Sequence, residues 1–268
     1  MAPWFEEVEA TLSRFRPASA LQQLNAMPER WVVVPPLLFE AINLALEASA
    51  LTEGAFDPTI LDGLEAAGYR QSFEQGPTAS TKPVPAGRWH EVRLAPEASA
   101  VWLPAGLRLD LGGIGKGLAV DHAMKLVRGA PRLLVNAGGD MRIRTAPGDP
   151  PCQVDVEDPQ NADRLVATLA IQRGAVATSS TKGRAWGQGL HHIIDPRTGR
   201  PSETGVSSAT VIAGRAWRAD VLAKAVIILG PERGLHLLHA NNTPGLLVMA
   251  DGQVIKTPDL EGYLDASA

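Results

Sequence analysis

Short strand-like runs arrive in clusters with only a few helical stretches between them, and this order constrains the fold more than any other feature. Runs rich in β-branched or aromatic residues lie at 89–94, 100–103 and 107–111, then at 132–136, 141–145, 153–157, 164–171 and 175–178, and finally at 207–212 and 245–249. A doubly wound sheet needs strand and helix in strict alternation, and neither that alternation nor a repeat of fixed period is present. The expected class is α+β: mixed, largely antiparallel sheets with a few packed helices, as one domain over residues 1–268.

The helical stretches follow from spacing and punctuation. Residues 2–27 begin with Phe5, Val8 and Leu12 on one face, and Pro17 breaks or bends the helix. Residues 35–51 repeat Leu37, Leu38, Ile42, Ala45, Leu46 and Ala48 with a period near 3.6 and run into a loop at 52–59 carrying Gly54 and Pro58. Further helices are expected at 115–127, 217–229 and 231–239. Residues 71–86, with Pro77, Pro83 and Pro85, are expected to form a mobile surface loop.

Charge and composition remove several classes of function. The net charge of −4 does not suit a strongly basic nucleic-acid binder, and the single cysteine, Cys152, excludes an internal disulfide or a cysteine-rich zinc site. No run of about 18 apolar residues occurs, so no transmembrane helix is expected. The first ten residues have neither a basic nor an apolar leader region, which points to a cytoplasmic location; an incomplete start would leave a periplasmic or extracytoplasmic one open.

Four stretches carry candidate chemistry. Leu109-Asp-Leu-Gly-Gly-Ile-Gly-Lys-Gly117 joins a strand to a helix, either as a tight turn or as a phosphate-binding junction; its spacing fits neither a Walker loop nor a dinucleotide fingerprint. Asn136-Ala-Gly-Gly-Asp140 has the composition of a hairpin turn. Between Thr178 and Arg200, Lys182, Arg184, Arg197 and Arg200 stand against the single acid Asp195, a local cationic stretch suited to a phosphate-bearing ligand, with His191 and His192 near that acid as candidate proton acceptors. Asp220 and Lys224 share a helix face, as an i,i+4 ion pair or with Asp220 as a metal ligand or general base.

Taken in order, these stretches resemble the ApbE-type flavin transferases, the FAD:protein FMN transferases. The resemblance runs through Ser13-Arg-Phe-Arg-Pro-Ala-Ser-Ala-Leu-Gln-Gln-Leu-Asn25, Gly54-Ala-Phe-Asp-Pro58, Asp110-Leu-Gly-Gly-Ile-Gly-Lys-Gly117, Asn136-Ala-Gly-Gly-Asp140, Ala177-Thr-Ser179, His192-Ile-Ile-Asp-Pro-Arg-Thr-Gly199 and Ala219-Asp-Val-Leu-Ala223. It implies an enzyme that cleaves the pyrophosphate of FAD, moves the FMN half onto a Thr or Ser hydroxyl of an acceptor flavoprotein and releases AMP. A magnesium-dependent FAD pyrophosphatase and a non-catalytic flavin-binding protein are the alternatives.

By the same resemblance, Phe15, Ala55, Phe56 and Asp57 line the flavin pocket, Asp110, Lys116 and Ser208 contact FAD, and His192 takes the proton from the acceptor hydroxyl. Asp220 and the Gly113 carbonyl hold Mg²⁺. Two departures stand out. Lys224 occupies the position of the usual Thr or Ser metal ligand, so magnesium is expected at an altered site. The family's initial Met-Gly-Thr strand is expected to be missing, because the chain opens directly into a helix.

Overall fold

The structure, a computed structural model, describes residues 1–187 and 189–265. The chain divides into two compact units, one formed by Met1–Gly115 with Trp186–Ser202, the other by Lys116–Ala185 with Glu203–Ala268.

In the first unit, α1 (Ala2–Leu12) and α2 (Ala20–Asn25) replace one long helix. Ser13 turns extended after α1, Pro17 follows, and the Ser19 hydroxyl restarts the helix by accepting the Gln22 N–H at 3.1 Å. The strand β1 (Trp31–Val33) leads into α3 (Pro36–Leu51), which buries Leu37, Leu38, Ala41, Ile42, Ala45 and Ala48 along one stripe. A short α4 (Leu61–Ala66), then β2 (Arg93–Ala95) and β3 (Ala100–Trp102), complete the main elements, the strands pairing antiparallel in the order β1-β3-β2. A further short pair joins Ile194–Asp195 to Arg200–Pro201.

Two expectations for this unit are corrected. The run 107–111 is not a strand, although Leu107, Leu109 and Leu111 are buried as alternate residues of one would be; Asp110 between them is buried as well. Its backbone bonds go elsewhere: the Asn25 amide pairs with both the N–H and the carbonyl of Leu109, at 2.8 and 2.9 Å, and Asp110 N–H donates to the Pro58 carbonyl at 2.8 Å. Period-2 burial is a statement about side chains, while a ladder needs a neighbouring strand. The segment 71–86 is not a free loop either. Thr78 N–H donates to the Gly68 carbonyl, Thr81 N–H to Ala66 and Ala86 N–H to Pro196, at 2.7–2.8 Å, so the stretch is strapped at three points between Thr78 and Ala86.

The second unit takes up α5 (Gly115–Leu126) from Lys116 onward. The hairpin β4 (Leu133–Ala137) and β5 (Asp140–Arg144) follows, then the hairpin β6 (Cys152–Asp158) and β7 (Asn161–Ile171), and then β8 (Arg173–Ser180). Next come β9 (Val206–Ala213), α6 (Ala216–Leu229), α7 (Pro231–Ala240), β10 (Gly245–Met249) and β11 (Val254–Lys256). Six strands form one antiparallel sheet in the order β11-β10-β9-β8-β5-β4.

Strand alternation gives this sheet two unlike faces. Val176 and Ile212 belong to the apolar layer shared with Val154, Val156, Leu169 and Ile171 of the β6–β7 hairpin. The opposite-facing positions on β8 and β9 include Ala175, Ala177, Ser179 and Ala209, small residues that let α6 lie close. α6 packs on β5, β8, β9 and α7, and is buried on nearly every side, as a helix between layers must be. The α+β class with antiparallel sheets is therefore observed. Among the described residues no helix is long and apolar enough to cross a membrane.

Candidate active site

Chemistry-bearing residues gather at one place in each unit. In the first unit the centre is an ion pair between Arg14 Nε and Asp110 Oδ2 at 2.8 Å, with both side chains more than nine-tenths buried. Arg14 also donates to the Tyr69 carbonyl at 2.7 Å, and its guanidinium lies 4.2 Å from the Phe15 ring centroid and 4.5 Å from that of Tyr69. Phe15, Tyr69 and Trp186 continue as rings spaced 5.6 Å apart, and Trp186 Nε1–H donates to the Ala67 carbonyl. Phe15 stays 38% exposed on this rigid support. A planar apolar ligand could lie against such a ring.

The glycine-rich stretch proves to be a turn whose backbone is largely occupied. Gly112 N–H donates to Asp110 Oδ1, and the Leu111 carbonyl accepts from both Ile114 and Gly115. Gly113 lies half-buried in the same turn. Three of the N–H groups that could have cradled a phosphate therefore have partners within the turn.

Ala55, Phe56 and Asp57 are all buried. Asp57 organises its loop: Oδ1 accepts from the N–H and hydroxyl of Thr59, each at 2.7 Å, and Oδ2 accepts from Gly87 N–H at 2.7 Å. Burial pushes its carboxyl above the ordinary value of 3.8, against the pull of those hydrogen bonds. Asp57→Ala would strand three donors and is expected to destabilise the first unit by about 2–3 kcal/mol at neutral pH. The folded carboxyl holds its proton to higher pH than the unfolded one. Wild-type stability therefore falls, relative to the alanine variant, as pH rises from 3.8 through the folded value. Chemical denaturation should accordingly show a larger alanine penalty on the acid side of that window than at neutral pH.

The two histidines separate in role. His191 is buried, its Nδ1 accepting from Ile193 N–H at 3.2 Å and its Nε2 lying 3.1 Å from the Ser202 carbonyl, so the proton sits on Nε2 and the ring is held by its own chain. His192 is half-buried in the bend that follows. Asp195 serves the turn: its carboxylate accepts from the Arg197 backbone N–H and from Arg197 Nε and Nη2. The cationic run is divided too, Lys182 and Arg184 belonging to the second unit and Arg197 and Arg200 to the first.

In the second unit the chemistry is a cluster of two carboxylates and two ammonium groups. Lys116 Nζ, in the first turn of α5, pairs with Asp140 Oδ2 at the start of β5, and Lys224 Nζ pairs with Asp220 Oδ1 one turn away on α6. Asp140 and Asp220 each have about 1% of their surface exposed. Asp140 Oδ1, Asp220 Oδ2 and the Ser208 hydroxyl are buried with no hydrogen-bond partner. Burial pushes Asp140 up to about 6, helped by the charge of Asp220 and opposed by Lys116 and Lys224. Burial alone pulls Lys116 down, but the fields of Asp220 and Asp140 outweigh it and hold the ammonium above its ordinary value.

Asp140 was legible only as the end of a turn. Gly138 and Gly139 both have positive φ, at 64° and 96°, as a two-residue hairpin of this kind requires, and the Asn136 side chain accepts from Gly139 N–H. The turn is thus structural, and its last residue is delivered to the cluster. Asp121 and Arg142, which sequence reasoning also missed, hold the start of α6. Asp121 Oδ2 accepts from Trp217 N–H at 3.3 Å, Arg142 Nε lies 3.4 Å from its other oxygen, and Arg142 donates to the Gly214 carbonyl.

The second unit's residues do not fit a resident magnesium ion. Magnesium takes near-octahedral oxygen ligands, yet of the carboxylate oxygens here one on each aspartate already holds an ammonium group, and the cluster sums to zero charge. Among the described residues no group of three His, Cys, Asp or Glu side chains converges to hold a metal ion.

A model of the ApbE family matches residues 1–248. The chain is 28% identical to the FAD:protein FMN transferase of Escherichia coli K12, over 94% of this chain and 77% of that protein, and 31% identical to that of Treponema pallidum, over 87% and 71%. Among solved structures, the ApbE protein of Thermotoga maritima superposes with a TM-score of 0.89 at 28% identity, covering 98% of this chain and 90% of that one. The flavin transferase ApbE of Vibrio cholerae gives 0.81 at 26% identity, covering 98% and 88%.

Proposed function

The chain belongs to the ApbE family, and on that premise we propose that it is a transferase that moves the FMN moiety of FAD onto a Thr or Ser hydroxyl of an acceptor flavoprotein and releases AMP. The observation that carries this reading is the second unit's cluster. Two ammonium groups are held there by buried carboxylates, and although the cluster is neutral overall they offer charged donors to the oxygens of a pyrophosphate. The likeness to FAD:protein FMN transferases along nearly the whole chain supports it.

The reaction sets three demands. The acceptor oxygen must attack the FMN phosphorus, the hydroxyl proton must go to a base, and the bond to the AMP oxygen must break with its charge stabilised. Lys116 and Lys224 are assigned the charge on the pyrophosphate. Asp140 and Asp220 hold those lysines. His192 is assigned the proton, and the Ser208 hydroxyl a hydrogen bond to FAD. Phe15, backed by Arg14 and Tyr69, is assigned the isoalloxazine ring, with Ala55, Phe56 and Asp57 forming the loop beside it. No step is routed through magnesium, whose donor set these residues do not provide.

Mass spectrometry of an acceptor protein incubated with FAD and the enzyme tests the reading. A gain equal to FMN less water supports transfer; free FMN and AMP with an unmodified acceptor would instead establish hydrolysis, and bound FAD without turnover a binding protein. His192→Ala is expected to slow transfer by about a hundredfold or more while leaving the thermal transition in place.

A further inference from the structure

The lysine pairs raise a question that the transfer reaction alone does not answer: what supplies positive charge at the second unit's carboxylates. Asp220 is fully enclosed, and its Oδ1 is occupied by Lys224, four residues on along the same helix. The Lys224 side chain is itself only 14% exposed, so its ammonium is a built part of the cluster and not a mobile surface charge. Asp140 also holds an ammonium group, that of Lys116, whose side chain comes from another element and is 37% exposed. A divalent cation entering here would meet two ammonium groups across a low-dielectric interior and would find one oxygen of each carboxylate already taken. The two unpartnered oxygens, Asp140 Oδ1 and Asp220 Oδ2, would each bring an ion that keeps its waters up against the ammonium group held by the other oxygen of the same carboxylate.

We infer that in this chain Lys224 stands where a divalent cation would otherwise sit: with Lys116 it offers a pyrophosphate two charged donors within a cluster that is neutral overall, and the second unit carries no resident divalent metal. The inference rests on the proposed reaction for its substrate class, but not for its test. It makes the carboxylates positioning groups. Asp220 aims Lys224, Asp140 aims Lys116, and each retains one free oxygen to re-pair when a phosphate draws the ammonium away.

The measurement is uptake of Mn²⁺ by the full chain, followed by electron paramagnetic resonance with and without FAD. The wild-type protein is expected to leave Mn²⁺ free in both cases. Lys224→Met removes the ammonium and exposes both oxygens of Asp220, and is expected to raise Mn²⁺ affinity at least tenfold, a gain that adding Asp220→Asn should erase. Lys224→Gln provides the same test if the methionine variant folds poorly. Stoichiometric uptake by the wild type, lost in Asp220→Asn, would overturn the inference.

A second arm uses flavin transfer in excess EDTA. Full rate is expected, and a rate lost in EDTA and restored by Mg²⁺ would also overturn it. Absence of transfer under every condition counts against the proposed reaction alone, since Mn²⁺ uptake still decides the role of Lys224.

Discussion

Gly117→Ala is expected to lower the stability of the second unit by about 3 kcal/mol, near the upper end for overpacking a close-packed interior. A Cβ at residue 117 would lie 2.5 Å from both the backbone nitrogen and the Cα of Trp217, and 2.7 Å from the carbonyl carbon of Ala216. These are backbone atoms at the first turn of α6, so no side chain can rotate aside. Moving α6 away is opposed as well, because Asp121 of α5 accepts from Trp217 N–H and Arg142 of β5 donates to the Gly214 carbonyl just before the helix. The strain should therefore appear as a separation of α5 from α6.

That separation falls on the cluster, since Lys116 precedes Gly117 on α5 and Asp220 follows Trp217 on α6. The variant should lose transfer activity at least tenfold even below its melting transition. At roughly 2–4 °C per kcal/mol for a chain of this size, a fall of about 6–12 °C in Tm is expected. Gly262→Ala, whose added Cβ meets nothing within 4 Å, is the control and should stay near the wild type. A wild-type Tm for Gly117→Ala would show that the helices do not approach as described.

Arg14→Ala is expected to be as damaging to the first unit. It leaves the buried Asp110 carboxylate without its counter-charge and removes the guanidinium wedged against Phe15 and Tyr69. Breaking one side of a buried pair costs about 3–5 kcal/mol, largely through the uncompensated charge. Asp110→Asn in the same chain should recover part of that loss, because the stranded charge is gone while the Gly112 N–H keeps an acceptor. Denaturant titrations of both single variants and the double variant give the coupling directly. Strict additivity would mean that the pair does not form. Loss of the Arg14 support should also loosen Phe15 and weaken FAD binding, a separate readout.

Much of this was legible in the chain because it depends on residues close in sequence. The stripe of Leu37, Leu38, Ile42, Ala45 and Ala48 identified α3, and Pro17 separated α1 from α2. The glycine pair at 138 and 139 marked the β4–β5 turn. The run 107–111 shows the limit: its alternation correctly indicated which leucines point inward, but the Asn25 side chain, far away in sequence, takes the place of a neighbouring strand. The proline-rich stretch at 71–86 failed for the same reason, since its anchors at Ala66, Gly68 and Pro196 lie outside it.

The candidate residues divide along the same line. Asp220 and Lys224 share a helix face by spacing alone, so their pairing could be written down from the sequence. Nothing local says that Asp140, at the end of a hairpin turn, holds Lys116 at the start of α5, or that Arg14 neutralises Asp110. Likewise His191 and Asp195, which spacing had suggested as a proton-acceptor setting, are engaged with Ser202 and Ile193 and with Arg197. By itself the sequence determined the helices, the antiparallel character, the turns and the family motifs, because helical and strand periods and turn chemistry act over a few residues. Only the tertiary structure decided which buried charge meets which. Outside a single helix or turn that pairing is set by distance through a low-dielectric interior, and distance along the chain does not encode it.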